Sequence, residues 1–129
     1  MCSIVILKQS DSEWPIIIGA NRDEMINRDA LPPGRHWDDR PHIFAGKDTT
    51  AGGTWIGIND FGVVAAIMNR MNSLGPMDNK RSRGELVLDA LDHADASEAL
   101  NAIIEIEKDS YRGFNLSLIH ISEPTRHRR

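Results

Sequence analysis

The chain has 129 residues, of which 40% are apolar and 26% are charged, and its formal net charge is −4. This length and composition are typical of one globular domain and exclude a disordered, collagen-like or disulfide-rich chain. The charge is mildly negative and the basic residues form no stripe, which argues against nucleic-acid binding through phosphate contacts. The apolar runs are far shorter than the ~18 to 20 residues of a membrane-spanning helix, so we expect no transmembrane segment.

The single cysteine of the chain, Cys2, directly follows Met1. A chain with one cysteine forms no internal disulfide and no secretory signal opens the sequence, so we expect a reducing, cytoplasmic location. Removal of Met1 would leave a thiol and a free α-amine on one residue, with ordinary pKa values of about 8.5 and about 7.7 to 8.0. Cys2 is therefore a candidate nucleophile that carries its own base. The alternative is a small residue that begins a buried strand.

The first third of the sequence predicts β structure. Residues 3–7 and 14–20 are short runs rich in β-branched and apolar residues, and the polar stretch between them predicts a hairpin. This hairpin would bring the segment from Asn21 to Glu24 back to the end of the sheet where Cys2 begins the first strand. Residues 29–40 contain Pro32, Pro33 and Gly34 without steady periodicity, which predicts a long ordered loop.

A second hairpin and two helices are predicted next. Residues 42–45 are typical of a brief strand, and residues 54–58 and 63–68 flank a strong turn at 59–62, in a sheet covered on both faces. Ser82 followed by Glu85 fits a capping box before a helix with one apolar face, and Asp95 followed by Glu98 repeats this signal. Two strand hairpins followed by packed helices predict a layered α+β sandwich.

The C-terminal segment 116–129 has an unusual sequence. It resembles the in-frame translation of a transposase adapter that is used in sequencing libraries. We therefore expect native sequence to end near Asn115 and residues 116–129 to be a non-native tail, so that His120 is no candidate ligand or base. The alternative is a native strand that closes the sheet.

Five blocks together resemble one protein family: Cys2, residues 19–24 with the sequence GANRDE, residues 51–57, residues 62–69 and residues 81–86. They resemble the NRDE family, which is the transport and Golgi organisation protein 2 family. Its members are about twice this long, so the resemblance implies that residues 1–115 are the N-terminal part of such a domain. The family is similar to the N-terminal-nucleophile hydrolases, which implies an incomplete four-layer αββα sandwich.

The resemblance assigns roles to individual residues. Cys2 matches the nucleophile of these hydrolases, and Gly19, Asn21 and Asp23 match a block in which the aspartate orients the free α-amine. Asn69 resembles an asparagine near the oxyanion site. The hydrolases carry arginine where this chain has Ala20, and Arg22 lies two positions further on, a shift that keeps the strand face but moves the guanidinium.

Two functions follow from these residues, with a structural role of the same motif as a third possibility. The first is hydrolysis of a non-peptide carbon–nitrogen (amide) bond by Cys2 with Arg22, Asp23 and Asn69, without a required cofactor. The second, implied by the family resemblance, is a non-catalytic carrier of haem. In that case a thiolate or histidine would ligate iron, and Trp37, Trp55 or Met68 would flank the ligand. In both cases the expected partner is a small molecule.

Overall fold

The structure is a computed structural model that describes residues 3–22, 26–69, 80–106, 111 and 114–121. These residues form seven strands and two helices. In chain order they are β1 (Ser3–Lys8), β2 (Ile16–Asn21), β3 (Ala30–Gly34), β4 (Ile43–Asp48), β5 (Ile56–Asn59), β6 (Val63–Asn69), α1 (Gly84–Ala90), α2 (Ala96–Ile104) and β7 (Phe114–His120). In the described ranges no helix is long and apolar enough to cross a membrane.

The strands form two antiparallel sheets. β1 and β2 pair over their full length as a hairpin, from Ser3 opposite Asn21 to Lys8 opposite Ile16. The other five strands form one sheet in the order β3-β4-β5-β6-β7. The predicted α+β class and both predicted hairpins are confirmed. The four-layer N-terminal-nucleophile arrangement stays a prediction.

The segment 29–40 differs from its predicted structure, because β3 lies within the expected loop. Among the described residues β3 pairs only with β4, which makes it an edge strand. Its register shifts between Leu31 and Gly34, where Pro32 and Pro33 lie. Proline cannot donate to a strand ladder but is tolerated at edges and bulges, so the prediction of a loop from these two prolines is wrong.

The main core lies between the five-stranded sheet and the two helices. β4 and β6 contribute Ile43, Val63 and Ala65, and α1 and its C-cap contribute Val87 and Leu91, all at most 2% exposed. Alternate residues of a strand point to opposite faces, and Val64 and Ala66 are also buried, at 6% and 4% exposed. The predicted two-sided covering is therefore present at the centre of the sheet. It is incomplete toward β4, where Phe44 is 43% exposed.

The two helices begin differently. The N-cap of α2 is Asp95, which accepts a hydrogen bond from the Glu98 N–H at 2.8 Å, as predicted. The predicted capping box of α1 is wrong, because its N-cap is Arg83 and no side chain caps it. The Glu85 carboxylate instead accepts hydrogen bonds from Tyr111 and from Arg81 at 2.7 Å. A tertiary contact has replaced the local one.

β7 pairs with β6 at all seven positions, from Val63 opposite His120 to Asn69 opposite Phe114. Its partners on β6 include the buried Ala65 and Ala66, which lie opposite Leu118 and Ser117. Most of β7 lies in the segment whose sequence resembles an adapter translation. The division of the chain at residues 115 and 116 stays a prediction.

A partly buried ion pair joins the segment before β3 to the end of β4. The Nε and Nη2 atoms of Arg28 lie 2.9 and 2.6 Å from Asp48 Oδ2, and both side chains are at most 13% exposed. Burial alone would raise the pKa of Asp48. The hydrogen bonds from Arg28 and from the Thr50 and Ala51 N–H groups outweigh it, so the pKa lies below its ordinary value of 3.8.

We expect Arg28→Met to lower the free energy of unfolding at pH 7 by about 2 kcal/mol, because it leaves a buried carboxylate without its strongest donor. A carboxyl group with a depressed folded pKa stabilises the fold above its unfolded pKa and loses this contribution as pH falls through the folded pKa. The difference between the variant and the unsubstituted chain should therefore shrink below about pH 4, near the ordinary pKa of an aspartate side chain. Urea unfolding between pH 2.5 and pH 7 measures it.

Arg35→Met is the matched control, because the Arg35–Asp60 pair spans a similar 2.8 Å but both side chains are at least half exposed. An exposed pair contributes at most about 1 kcal/mol. Equal losses in the two variants would show that burial of the Arg28–Asp48 pair has no energetic weight.

Candidate functional site

A cleft lies where the β1–β2 hairpin meets the five-stranded sheet. The cleft is shallow, and its empty volume of about 270 Å³ includes space open to solvent. One wall is the end of the hairpin and the other is formed by β5, β6 and the residue before β5. The described residues that line it are Ser3, Ile4, Ala20, Asn21, Arg22, Trp55, Ile56, Ala66, Ile67 and Met68.

The hairpin wall is closed by a side chain–backbone contact at its end. Asn21 Oδ1 accepts a hydrogen bond from the Ser3 N–H at 2.9 Å and another from Ser3 Oγ at 2.5 Å. A backbone N–H can only donate, so the acceptor must be the amide oxygen of Asn21. Asn21 thus fixes the first described residue of β1.

The opposite wall presents an aromatic ring to a cation. The Arg22 guanidinium carbon lies 4.3 Å from the centroid of the Trp55 ring, which is close enough for a cation–π interaction. The Trp55 ring lies over Gly46, where a Cβ atom would come within 2.7 Å of it. The small residue on β4 therefore makes room for the ring, and the ring supports the guanidinium.

The sequence-predicted site residues have different positions. Asn21 and Arg22 line the cleft, and so does Met68, which precedes Asn69. Asn69 itself is half-buried at the end of β6, pairs with Phe114, and is not among the described lining residues. Cys2, Asp23 and Glu24 lie outside the described residues. The structure therefore brings two of the predicted residues to one cleft.

The two-residue displacement of the arginine places it just beyond the end of β2. Ala20 and Arg22 are two positions apart, and both line the cleft together with Ile4, the partner of Ala20. Side chains two apart on a strand share a face. Asn21, which lies between them, lines the cleft as well, so the retained strand face of the arginine stays a prediction.

Sequence reasoning did not identify Ser3 as a contact of Asn21 or Trp55 as the support of Arg22. The Ser3–Asn21 contact could have been predicted from strand register, because a hairpin that brings residue 21 back to the start of the first strand places it opposite Ser3. The Trp55 contact joins two sheets and has no signal in local sequence, although Trp55 belongs to one of the five family blocks.

Of the three candidate haem-flanking residues, two line the cleft and one does not. Trp55 and Met68 line the cleft. Trp37 does not, because it is 8% exposed in the main core and its Nε1–H donates to the Gly52 carbonyl at 2.8 Å. Among the described residues no three His, Cys, Asp or Glu side chains are grouped as metal ligands.

In the part of the chain that the structure describes, three side chains with clearly shifted pKa values lie outside the cleft. Burial raises the pKa of Asp89, and this effect outweighs the nearby Arg40 guanidinium at 3.2 Å. Burial and the hydrogen bond to Glu85 raise the pKa of Tyr111. Asp48, Asp89 and Tyr111 are not lining residues of the cleft. These shifts report ion pairs and hydrogen bonds that hold the fold together.

Comparison with known proteins agrees with this set of motifs. The family model of Transport and Golgi organisation 2 matches residues 1–128. The chain is 33% identical over 120 residues to a Bos taurus protein named Transport and Golgi organization protein 2 homolog. It is 33% identical over 116 residues to the Mus musculus Transport and Golgi organization 2 homolog, and 32% identical over 117 residues to a Homo sapiens protein with the bovine protein's name.

The chain therefore belongs to the Transport and Golgi organisation 2 family. Each of the three alignments covers 88% of this chain but only 41% of the relative. The chain thus spans about two fifths of the length of these relatives. The predicted family is confirmed.

Proposed function

We propose that this chain forms part of a cysteine N-terminal-nucleophile hydrolase that acts on a non-peptide amide bond. The observation that carries the proposal is the cleft at the start of β1, where Asn21 and Arg22 of the GANRDE block meet Trp55. Cys2 directly precedes Ser3 in the sequence, and Ser3 lines this cleft. The nucleophile would therefore act at its edge.

The proposed reaction begins once Met1 has been removed. The α-amine takes the Cys2 thiol proton, and the thiolate attacks the amide carbonyl carbon to form a tetrahedral oxyanion. The oxyanion collapses, the carbon–nitrogen bond breaks, and the leaving amine takes the proton from the α-ammonium group. Water then attacks the thioester, which releases the acid and restores the thiol.

The remaining predicted residues would support this sequence of steps. Asp23 would orient the α-amine, and the Asn69 side-chain amide would donate a hydrogen bond to the oxyanion. Arg22 would add positive charge at the cleft, where its stacking on Trp55 limits its conformations.

In the chain extended to the full length of its relatives, we expect Cys2→Ser to reduce hydrolysis of short acyl amides at least ~10³-fold, because a serine hydroxyl is a far weaker nucleophile than a thiolate at neutral pH. Turnover of a panel of such amides measures it. The same protein with Met1 retained is the matched control. It keeps the thiol but has no free α-amine on Cys2, so it should also be inactive. Unchanged turnover by Cys2→Ser would refute the proposal.

A second candidate function, haem carriage, is favoured by the lining of the cleft. Met68 offers a thioether and the cleft is open to solvent, while the Arg22 guanidinium, which covers the Trp55 ring, would have to move for haem to stack there. Titration of the full-length protein with haem should then shift the Soret band, and Cys2→Ala or Met68→Leu should reduce the shift if either sulfur ligates iron. An unshifted Soret band would refute this function.

Both functions need only a small-molecule partner, and hydrolysis needs no cofactor. We propose a cytoplasmic site of action, because a free Cys2 thiol persists in a reducing compartment. A fluorescent protein fused to the C-terminus, which leaves Cys2 free, tests this location, and its fluorescence should fill the cytoplasm.

A further inference from the structure

We propose that one face of the β1–β2 hairpin is an interface within the full-length protein. This outer face consists of Val5, Leu7, Ile17 and Gly19. Its partner is an apolar, uncharged surface of the polypeptide that corresponds to the unaligned part of the relatives. The interface concerns the assembly of the domain and does not depend on the proposed hydrolysis.

The register of the hairpin places these four residues on one face. Val5 lies opposite Gly19 and Leu7 lies opposite Ile17, and residues opposite each other in paired strands share a face. None of the four is among the described residues that line the cleft. Val5 is 71% exposed, Ile17 48% and Leu7 45%, and a Cβ atom on Gly19 would meet nothing within 4 Å. The described part of the chain therefore leaves the outer face open.

The opposite face of the hairpin, which consists of the alternate residues, is better covered. Three of its four isoleucines, Ile4, Ile16 and Ile18, are half-buried, and Ile6 is 44% exposed. Ile4 lines the cleft between the hairpin and the five-stranded sheet. The hairpin thus meets the larger sheet on this side, and among the described residues the outer face has no such layer.

The composition of the two strands is typical of a sheet that is covered on both faces. Residues 4–7 and 16–18 are unbroken apolar runs, whereas a strand with one solvated face alternates apolar and polar residues. Lys8 is the only charged residue of the two strands, and it lies opposite Ile16, away from the outer face. Permanent interfaces are more apolar than transient ones and are depleted of charge at their centre. The outer face therefore fits a permanent partner.

The rest of the same polypeptide can supply that partner. The alignments cover 41% of each relative, so more than half of the length of each relative lies outside them. A segment that is covalently attached acts at a high effective concentration. A sheet buries an apolar face against helices or a second sheet, and the unaligned part is long enough to contain either.

The test compares Val5→Lys in the 129-residue chain and in the chain extended to the full length of its relatives. In the 129-residue chain the lysine stays in water, so the melting temperature should change by at most about 3 °C. In the extended protein the charge would be buried without a partner, and the melting temperature should fall by at least ~6 °C. Ser10→Lys is the matched control. It adds the same charge in the exposed turn of the hairpin and should shift melting by at most about 3 °C at both lengths.

Val5→Cys in a Cys2→Ser background is a second variant that adds no charge. Alkylation of its thiol by iodoacetamide is followed by mass spectrometry of the peptide that contains residue 5. The thiol should react at least ~10-fold more slowly in the extended protein, because burial blocks access and raises the thiol pKa. Equal alkylation rates and equal melting shifts at both lengths would overturn the interface. A dimer of the extended protein that Val5→Lys dissociates would overturn it too, because a second copy would then cover the outer face.

Discussion

Asn59→Asp is expected to lower the free energy of unfolding by about 4 kcal/mol, one of the two largest effects that the structure predicts. Asn59 is 5% exposed, and its amide donates to the Leu91 and His93 carbonyls at 3.0 and 2.8 Å. Its Oδ1 accepts from the Phe61 and Val63 N–H groups. An aspartate would place a buried negative charge against two carbonyl oxygens. Urea unfolding at pH 7 measures the loss.

Two further variants separate charge from hydrogen bonding. Asn59→Ala removes all four hydrogen bonds without adding charge and should cost about 3 kcal/mol, since it leaves a buried Val63 N–H unsatisfied. Asn101→Asp makes the same chemical change on the exposed face of α2 and should stay within about 0.5 kcal/mol. If Asn59→Asp unfolded at the same urea concentration as the unsubstituted chain, the link between the β5–β6 turn and the residues that follow α1 would not contribute to stability.

The second large effect is expected at the contact between Gly53 and Gly84. A Cβ atom on Gly53 would lie 2.6 Å from the Gly84 carbonyl carbon, and one on Gly84 would lie 2.9 Å from the Thr54 carbonyl oxygen. Both neighbours are backbone atoms, which cannot move aside as a flexible side chain can. We expect Gly53→Ala and Gly84→Ala each to cost about 3 kcal/mol, by forced separation of α1 from the segment before β5. Thermal and urea unfolding measure it.

Gly84 gives the sharper test because two effects oppose each other there. It is the first residue of α1, and alanine is favoured over glycine inside a helix by about 1 kcal/mol. A net loss in Gly84→Ala therefore requires the steric contact to outweigh propensity. Gly19→Ala on β2 is the control, since a Cβ atom there meets nothing within 4 Å. Stabilisation of the chain by Gly84→Ala would show that the backbones can separate freely.

Sequence reasoning predicted the elements whose signals are local. The apolar runs of the two hairpins and the Asp95 cap of α2 each depend on residues that are close in the chain, and each was found. β3 was missed because its prolines outweighed its position at a sheet edge, which sequence does not reveal. The α1 capping box failed because Glu85 has a better partner in Tyr111, 26 residues away.

In the candidate site, too, the features with a local sequence signal were predicted and the contacts between distant residues were not. The GANRDE block at the end of β2 predicted that Asn21 and Arg22 would lie together near the start of β1, and they line one cleft with Ser3. The Trp55 support of Arg22 depends on how the hairpin packs against the other sheet, which no local pattern encodes. The same is true of the glycine pair, whose two motifs are 31 residues apart in the sequence and touch only in the fold.

The order of strands in the larger sheet also determines which parts can form first. β3 to β6 pair in sequence order, so each step closes only a short loop, whereas β7 reaches β6 only after both helices. Contacts that are close in sequence form at low entropic cost, and distant ones form slowly. We expect β4 to β6 to nucleate folding and the β1–β2 hairpin to dock late, so its amides should exchange with solvent before those of β6. The cleft would then be assembled last, between a part that is already rigid and one that arrives after it.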